Sequence, residues 1–135
     1  MNGLLSPDPH QLRAAIGVLR MIIGALLLYH GLEVFDAELM KGYQEWDQFK
    51  SSSGAFMVYL GKGSEFVAGL LLMLGFLTRL AALLCIGTLG YITFFVGQGK
   101  FWYEDQHPFM FVLFGVLLLF SGPGKWSLDG RFFRP

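Results

Sequence analysis

AAIGVLRMIIGALLLYHGL, residues 14–32, decides the fold: nineteen residues interrupted only by Arg20 and His30. At about 1.5 Å of rise per residue this segment reaches across roughly 30 Å of hydrocarbon, so it reads as a membrane span. A cleaved signal peptide would carry a shorter apolar core and then a small-residue cleavage site. Here Arg20 sits inside the segment, with His30 and Glu33 after it, and the segment reads as mature structure. Working outward, three more apolar segments follow at about 55–77, 80–97 and 108–122; the first of them holds Lys62 and Glu65, and the other two contain no charge.

Composition agrees with four spans. Of 135 residues, 54% are hydrophobic and only 15% charged, where an ordinary globular domain carries roughly a quarter charged residues. A disordered chain and a collagen-like repeat are excluded. Lys and Arg together number 10, as do Asp and Glu, so no basic excess points to a nucleic-acid partner. The single Cys85 allows neither an intrachain disulfide nor a CxxC pair. A redox role must therefore rest on a bound cofactor or a partner.

The connection between spans two and three is about two residues long, which makes those spans antiparallel neighbours in an all-α, up-down four-helix bundle. Arg13, Arg79, Lys125, Arg131 and Arg134 lie on one side, against Lys41, Lys50 and Lys100 on the other. By the positive-inside rule both termini are expected in the cytoplasm, with the chain multi-pass in the inner membrane. In the first outer loop, Phe35, Leu39, Tyr43, Trp46 and Phe49 are spaced by four, four, three and three, one apolar stripe on a helix. That pattern predicts an interfacial helix, with a loop folded over the outer mouth as the alternative. Gly42 weakens the helix, and Ser51-Ser52-Ser53-Gly54 reads as a flexible joint. Trp102, Tyr103, Trp126, Phe132 and Phe133 fall where aromatic rings anchor at headgroup depth.

Ionisable side chains at membrane depth cost roughly 2.5–3.5 kcal/mol each and face a partner, a cavity or the bundle interior. Arg20 shares a stripe with Gly17, Gly24 and Gly31, and Glu65 is flanked by Gly61, Ala68 and Gly69; small residues of this kind let helices approach closely. Counting rise per residue places Glu65 nearly level with His30, and Arg20 roughly one or two helical pitches deeper. His107 opens the fourth span and Glu33 follows His30 by one turn. The candidate ligand-binding set is thus Arg20, His30, Glu33, Lys62, Glu65 and His107. Each has a structural alternative: an Arg20–Glu65 pair that fixes register, a hydrogen-bonded interior His30, a Lys62 that snorkels, boundary roles for Glu33 and His107. Cys85 reads as packing. No ExxH or HxxxH pair lies on one helix, so no metal site is assigned. Nucleophilic catalysis lacks a GxSxG elbow, and GKGS at 61–64 is too short for a phosphate loop. What remains is a polar pocket in an apolar bundle, able to hydrogen-bond the head of a lipophilic molecule, with His30 or Glu65 carrying a proton.

Four features together resemble the DoxX family of small four-span membrane proteins. They are Arg20 with Tyr29-His30-Gly31, Glu65 within EFVAGLLLMLGFLTRLAALL (65–84), His107 at the start of span four, and GPGKWSLDG (122–130). The likeness covers about 13–130, which reads residues 1–135 as one DoxX-like domain; Glu33 departs from the lysine that many relatives carry there. The resemblance implies a respiratory or redox setting; no redox centre is evident in the sequence itself, so no covalent cofactor is expected. The resemblance also implies a quinone-type site with Arg20, His30, Glu65 and His107 as its polar core, and electrons delivered by a partner subunit. The rival reading is a structural or assembly subunit, or a homo-oligomer, built on the glycine faces of spans one and three, including Gly87, Gly90 and Gly97.

Overall fold

The computed structural model describes residues 8–50 and 53–133; Arg134, Ser51 and Ser52, used above for topology and for the joint, lie outside them. The first helix, α1 (Pro9–Gly31), begins five residues before the expected 14. Asp8 explains why: its carboxylate accepts from the N–H groups of His10 and Gln11, and Pro9 occupies the first turn where a missing N–H costs nothing. A 3-10 turn at Leu32–Phe35 leads into α2 (Ala37–Gln44), whose N-terminus is capped by Asp36 through Glu38 and Leu39. After a second 3-10 turn, Asp47–Phe49, α3 (Gly54–Leu74) returns across the bundle. It stops short of the expected residue 77 because Gly75 takes a left-handed conformation, φ 69°, and closes the helix end.

Beyond that turn, α4 (Thr78–Tyr91) runs on into a π-helical turn, Ile92–Val96. The remaining helices are α5 (Gln106–Ser121) and the short α6 (Leu128–Phe132). Three stretches, Pro9–Phe35, Gly54–Leu74 and Thr78–Val96, are long and apolar enough to cross a membrane. The fourth expected span is α5, apolar but only 16 residues long, which supplies about 24 Å. Side chains such as Leu26, Leu83 and Phe120 point outward with more than half their surface exposed, the arrangement that suits contact with acyl chains.

The helices pair as α1 with α3 and α4 with α5, and α3 lies beside α4. Hydrocarbon tails give apolar helices no reason to leave lipid for one another, so close backbone approach has to supply the attraction. The α1–α3 seam does so through glycine. A Cβ at Gly24 or Gly31 would strike the backbone of Met73 or of Phe66, and one at Gly69 would strike Leu28. Ile23, Leu27, Ala68, Leu72, Ala81, Ala82, Cys85, Leu89 and Leu118 fill the interior between the pairs. Within the chain the span-three glycines make no comparable backbone contact. Gly87 faces open space, Gly90 meets only Val112 Cγ2 at 3.9 Å, and Gly97 sits in a turn against the Asp105 carboxylate.

The outer-loop stripe also divides. The helix occurs, but it ends at Gln44, and Phe35 and Leu39 are exposed while Met40 is the residue that α2 buries. Tyr43, Trp46 and Phe49 turn back over α3 instead. The segment therefore combines both expected forms: a short helix, and a strap folded across the mouth of the bundle.

Candidate functional site

Two assemblies of buried polar groups stand at opposite ends of the bundle. At the α3–α4 turn, Arg20 is fully buried and all five guanidinium N–H groups are engaged. Nε donates to the Pro123 carbonyl at 2.8 Å, Nη1 to Leu72 at 2.9 Å and Met73 at 3.4 Å, and Nη2 to Lys125 at 3.0 Å and Trp126 at 2.9 Å. Helices leave their last carbonyls without i+4 partners, and Leu72 and Met73 lie at the end of α3, where Gly75 N–H also donates to Leu72. The other three acceptors belong to the non-helical segment after α5.

This accounts for GPGKWSLDG. Gly124, at φ 71°, lets the chain run close to α1, where the Lys125 N–H donates to the Arg13 carbonyl at 3.1 Å. A Cβ at Gly17 would meet the Lys125 carbonyl oxygen at 2.5 Å. Asp129 then caps α4 by accepting from the N–H groups of Leu77 and Thr78 at 2.7 and 2.8 Å, while its own N–H donates to the Gly75 carbonyl. Arg20 is thus placed away from the other candidates. The alternative of an Arg20–Glu65 pair does not form, because every guanidinium N–H goes to a backbone carbonyl.

The opposite end collects three of the six candidates. Lys62 Nζ lies 2.9 Å from Glu33 Oε2 and 3.2 Å from Glu65 Oε2, one turn further along α3. Tyr43 donates its hydroxyl to the same Glu33 oxygen at 2.6 Å, and its ring lies 5.0 Å from the Lys62 ammonium. Burial of the Tyr43 phenol raises its pKa above the ordinary value, and the hydrogen bond to Glu33 adds to the rise. Glu65 is only 4% exposed. Its Oε2 faces Lys62, and its Oε1 has no hydrogen-bond partner among the described residues.

His30 and His107 meet each other instead, edge to face at 5.5 Å, with Phe111 against both. They join α1 to the start of α5, beside the carboxylate cluster rather than inside it. Among the described residues no three His, Cys, Asp or Glu side chains converge to hold a metal ion.

A cavity of about 450 Å³ opens between α3 and α4. Lys62 and Glu65 form its polar corner, Met57, Val58, Thr88 and Ile92 its walls, and Tyr43, Trp46 and Phe49 its roof. The Gln48 side-chain amide donates to the Val96 carbonyl at 2.9 Å, which ties the roof segment to the π turn of α4. Residue spacing alone missed Tyr43 and Trp46 as parts of this site. The available signal was their place, with Phe49, on a single stripe, the half of it that turned inward.

The chain matches the DoxX family model over residues 15–98. It is 31% identical over 127 residues to an uncharacterized membrane protein of Mycobacterium tuberculosis, covering 84% of this chain and 78% of that one. An uncharacterized protein of Haemophilus influenzae is 26% identical over 141 residues, covering 99% of each. No solved structure matches significantly. With more than half its length under the family model and a membrane relative aligned along most of it, the chain belongs to the DoxX family.

Proposed function

We propose that the protein is a membrane subunit of a redox system, holding the ring of a quinone-like lipophilic molecule in the cavity between α3 and α4. The observation that carries this reading is the pairing of a nearly buried carboxyl, Glu65, with the Lys62 ammonium at one corner of a largely apolar cavity at membrane depth. Ligand sites are commonly clefts of roughly 300–1,000 Å³ with few polar groups to fix orientation, and about 450 Å³ falls in that range. The donor set fits a ring oxygen. Lys62 has three N–H donors and gives two of them to carboxylates, so one remains for a carbonyl. Glu65 Oε1 is an acceptor for a ring hydroxyl and a place to hold a proton.

A bound quinone would supply electron-carrying chemistry. The chain's own residues bind and orient the ring, exclude water beneath Trp46 and Phe49, and exchange the proton at Glu65. A partner subunit is the proposed source of electrons, and the inner membrane with both termini cytoplasmic is the proposed setting, supported by the excess of Lys and Arg on the side of Arg13 and Arg79. Arg20 is left out of the ligand set because its hydrogen bonds are complete; His30 and His107 form a flank that relays protons toward the outer surface.

The test is binding of a decyl-substituted benzoquinone to protein in nanodiscs, followed by quenching of tryptophan fluorescence. Saturable quenching is expected, with Glu65→Gln weakening binding at least tenfold while the thermal transition stays within a few degrees. Equal binding by wild type and Glu65→Gln would reject the assignment.

A further inference from the structure

The geometry points to a lateral portal: the occupant of the cavity is a single-tailed lipophile that arrives from within the bilayer, between α3 and α4, past Gly61 and Gly87. This inference rests on the proposed quinone-like ligand and adds its route and the residues that set its width. Other paths are obstructed. Tyr43, Trp46 and Phe49 cover the cavity at the loop end, held by the bond from Gln48 to Val96. At the other end the three-residue turn Gly75–Leu77 joins α3 to α4 and is fastened by Asp129.

The side between the helices stays open. Gly61 and Gly87 both line the cavity, and a Cβ built on either would meet nothing within 4 Å. They differ in this from Gly24, Gly31 and Gly69, whose missing side chains are filled by the neighbouring helix. Around them Leu60 and Tyr91 line the cavity while 53% and 41% exposed, so the same side chains face the cavity and the acyl chains.

Depth supports the route. Gly87 lies nine residues into α4 and Glu65 nine residues before the end of α3, which puts both about 14 Å from the turn end, near the middle of a hydrocarbon layer of roughly 30 Å. Glu65, only 4% exposed and on the cavity wall, presents to the cavity the oxygen that does not face Lys62. A molecule whose ring reaches Glu65 leaves its tail in the gap that the two glycines keep clear.

The test uses the full chain in nanodiscs and Gly61→Leu, Gly87→Leu and Gly63→Leu variants. Gly63 is the matched control: it lies on α3, its Cβ also meets nothing within 4 Å, and it does not line the cavity. A Cβ at each of the three positions meets nothing within 4 Å, so all three proteins should fold. Binding of the decyl benzoquinone should fall at least tenfold in Gly61→Leu and Gly87→Leu and change less than twofold in Gly63→Leu. Lengthening the tail from methyl to decyl, with affinity corrected for partition into lipid, should leave wild-type binding within a few-fold. Unchanged affinity in the two portal variants, equal damage from Gly63→Leu, or rejection of the long-tailed ring would each overturn the portal while leaving the ring site standing. Absence of saturable binding to wild type at any tail length would overturn the proposed function, and the portal with it.

Discussion

At the α3–α4 turn, Arg20 commits five N–H groups to five carbonyls and is sealed from solvent; at the other end, Lys62 divides its donors between two carboxylates beside an open cavity. Both are cations in an apolar bundle. A cation whose hydrogen bonds are complete fastens backbone segments together, because most of its carbonyl partners have no other donor in place if it leaves. One with an unused donor, next to a carboxyl with an unused oxygen, has capacity for a further molecule. The number of donors left over, rather than burial or charge, separates clasp from site.

The largest expected effect breaks the clasp. Arg20→Leu strands the carbonyls of Met73, Pro123, Lys125 and Trp126 at the junction of α1, α3 and the segment after α5, and should cost about 3–5 kcal/mol. Thermal unfolding in detergent would register this as loss of the folded peak, and Arg20→Lys, a point charge with three donors, should recover only part of it. A transition unmoved by Arg20→Leu would deny the clasp its role. Next, Asp129→Ala removes two backbone hydrogen bonds from the start of α4 and should lower stability by about 1 kcal/mol without touching quinone binding.

At the other end, Tyr43 sharpens the contrast. Its folded pKa lies above its unfolded value, so the unfolded chain loses this proton first. Stability should then fall as pH rises beyond about 10. Tyr43→Phe should remove that alkaline slope, followed by thermal melts across the range; an identical slope in the variant would show that another group titrates. The smallest effect is a gain. Gly42 lies inside α2 with nothing within 4 Å of a built Cβ, so Gly42→Ala should stabilise by about 0.5–1 kcal/mol.

Much of the bundle was legible in the sequence because membrane spans and small-residue faces are local patterns. Gly24, Gly31 and Gly69 could be read as a packing face from spacing alone, and they form the α1–α3 seam. Lys62 and Glu65 could be placed together because three residues is one helical turn. The destination of Arg20 was not legible, since its acceptors at Pro123, Lys125 and Trp126 are more than a hundred residues away. Rise per residue gave its depth and not its direction. The place of Gly87 was not legible for a related reason: a glycine that allows contact and a glycine that faces open space look alike in one sequence, and only the neighbouring helices of the chain distinguish them. The division of the outer stripe, with Leu39 exposed and Met40 buried, followed from where α2 stops.

The Arg20 hydrogen bonds also impose an order on biogenesis. During synthesis α1 and α3 exist before residues 123–126, so the guanidinium at first has only the Leu72 and Met73 carbonyls to hold. A nascent or truncated chain would carry an incompletely hydrogen-bonded cation into the lipid, a defect that quality-control proteases could read. Synthesis of residues 123–126 is then also the step that makes the product durable.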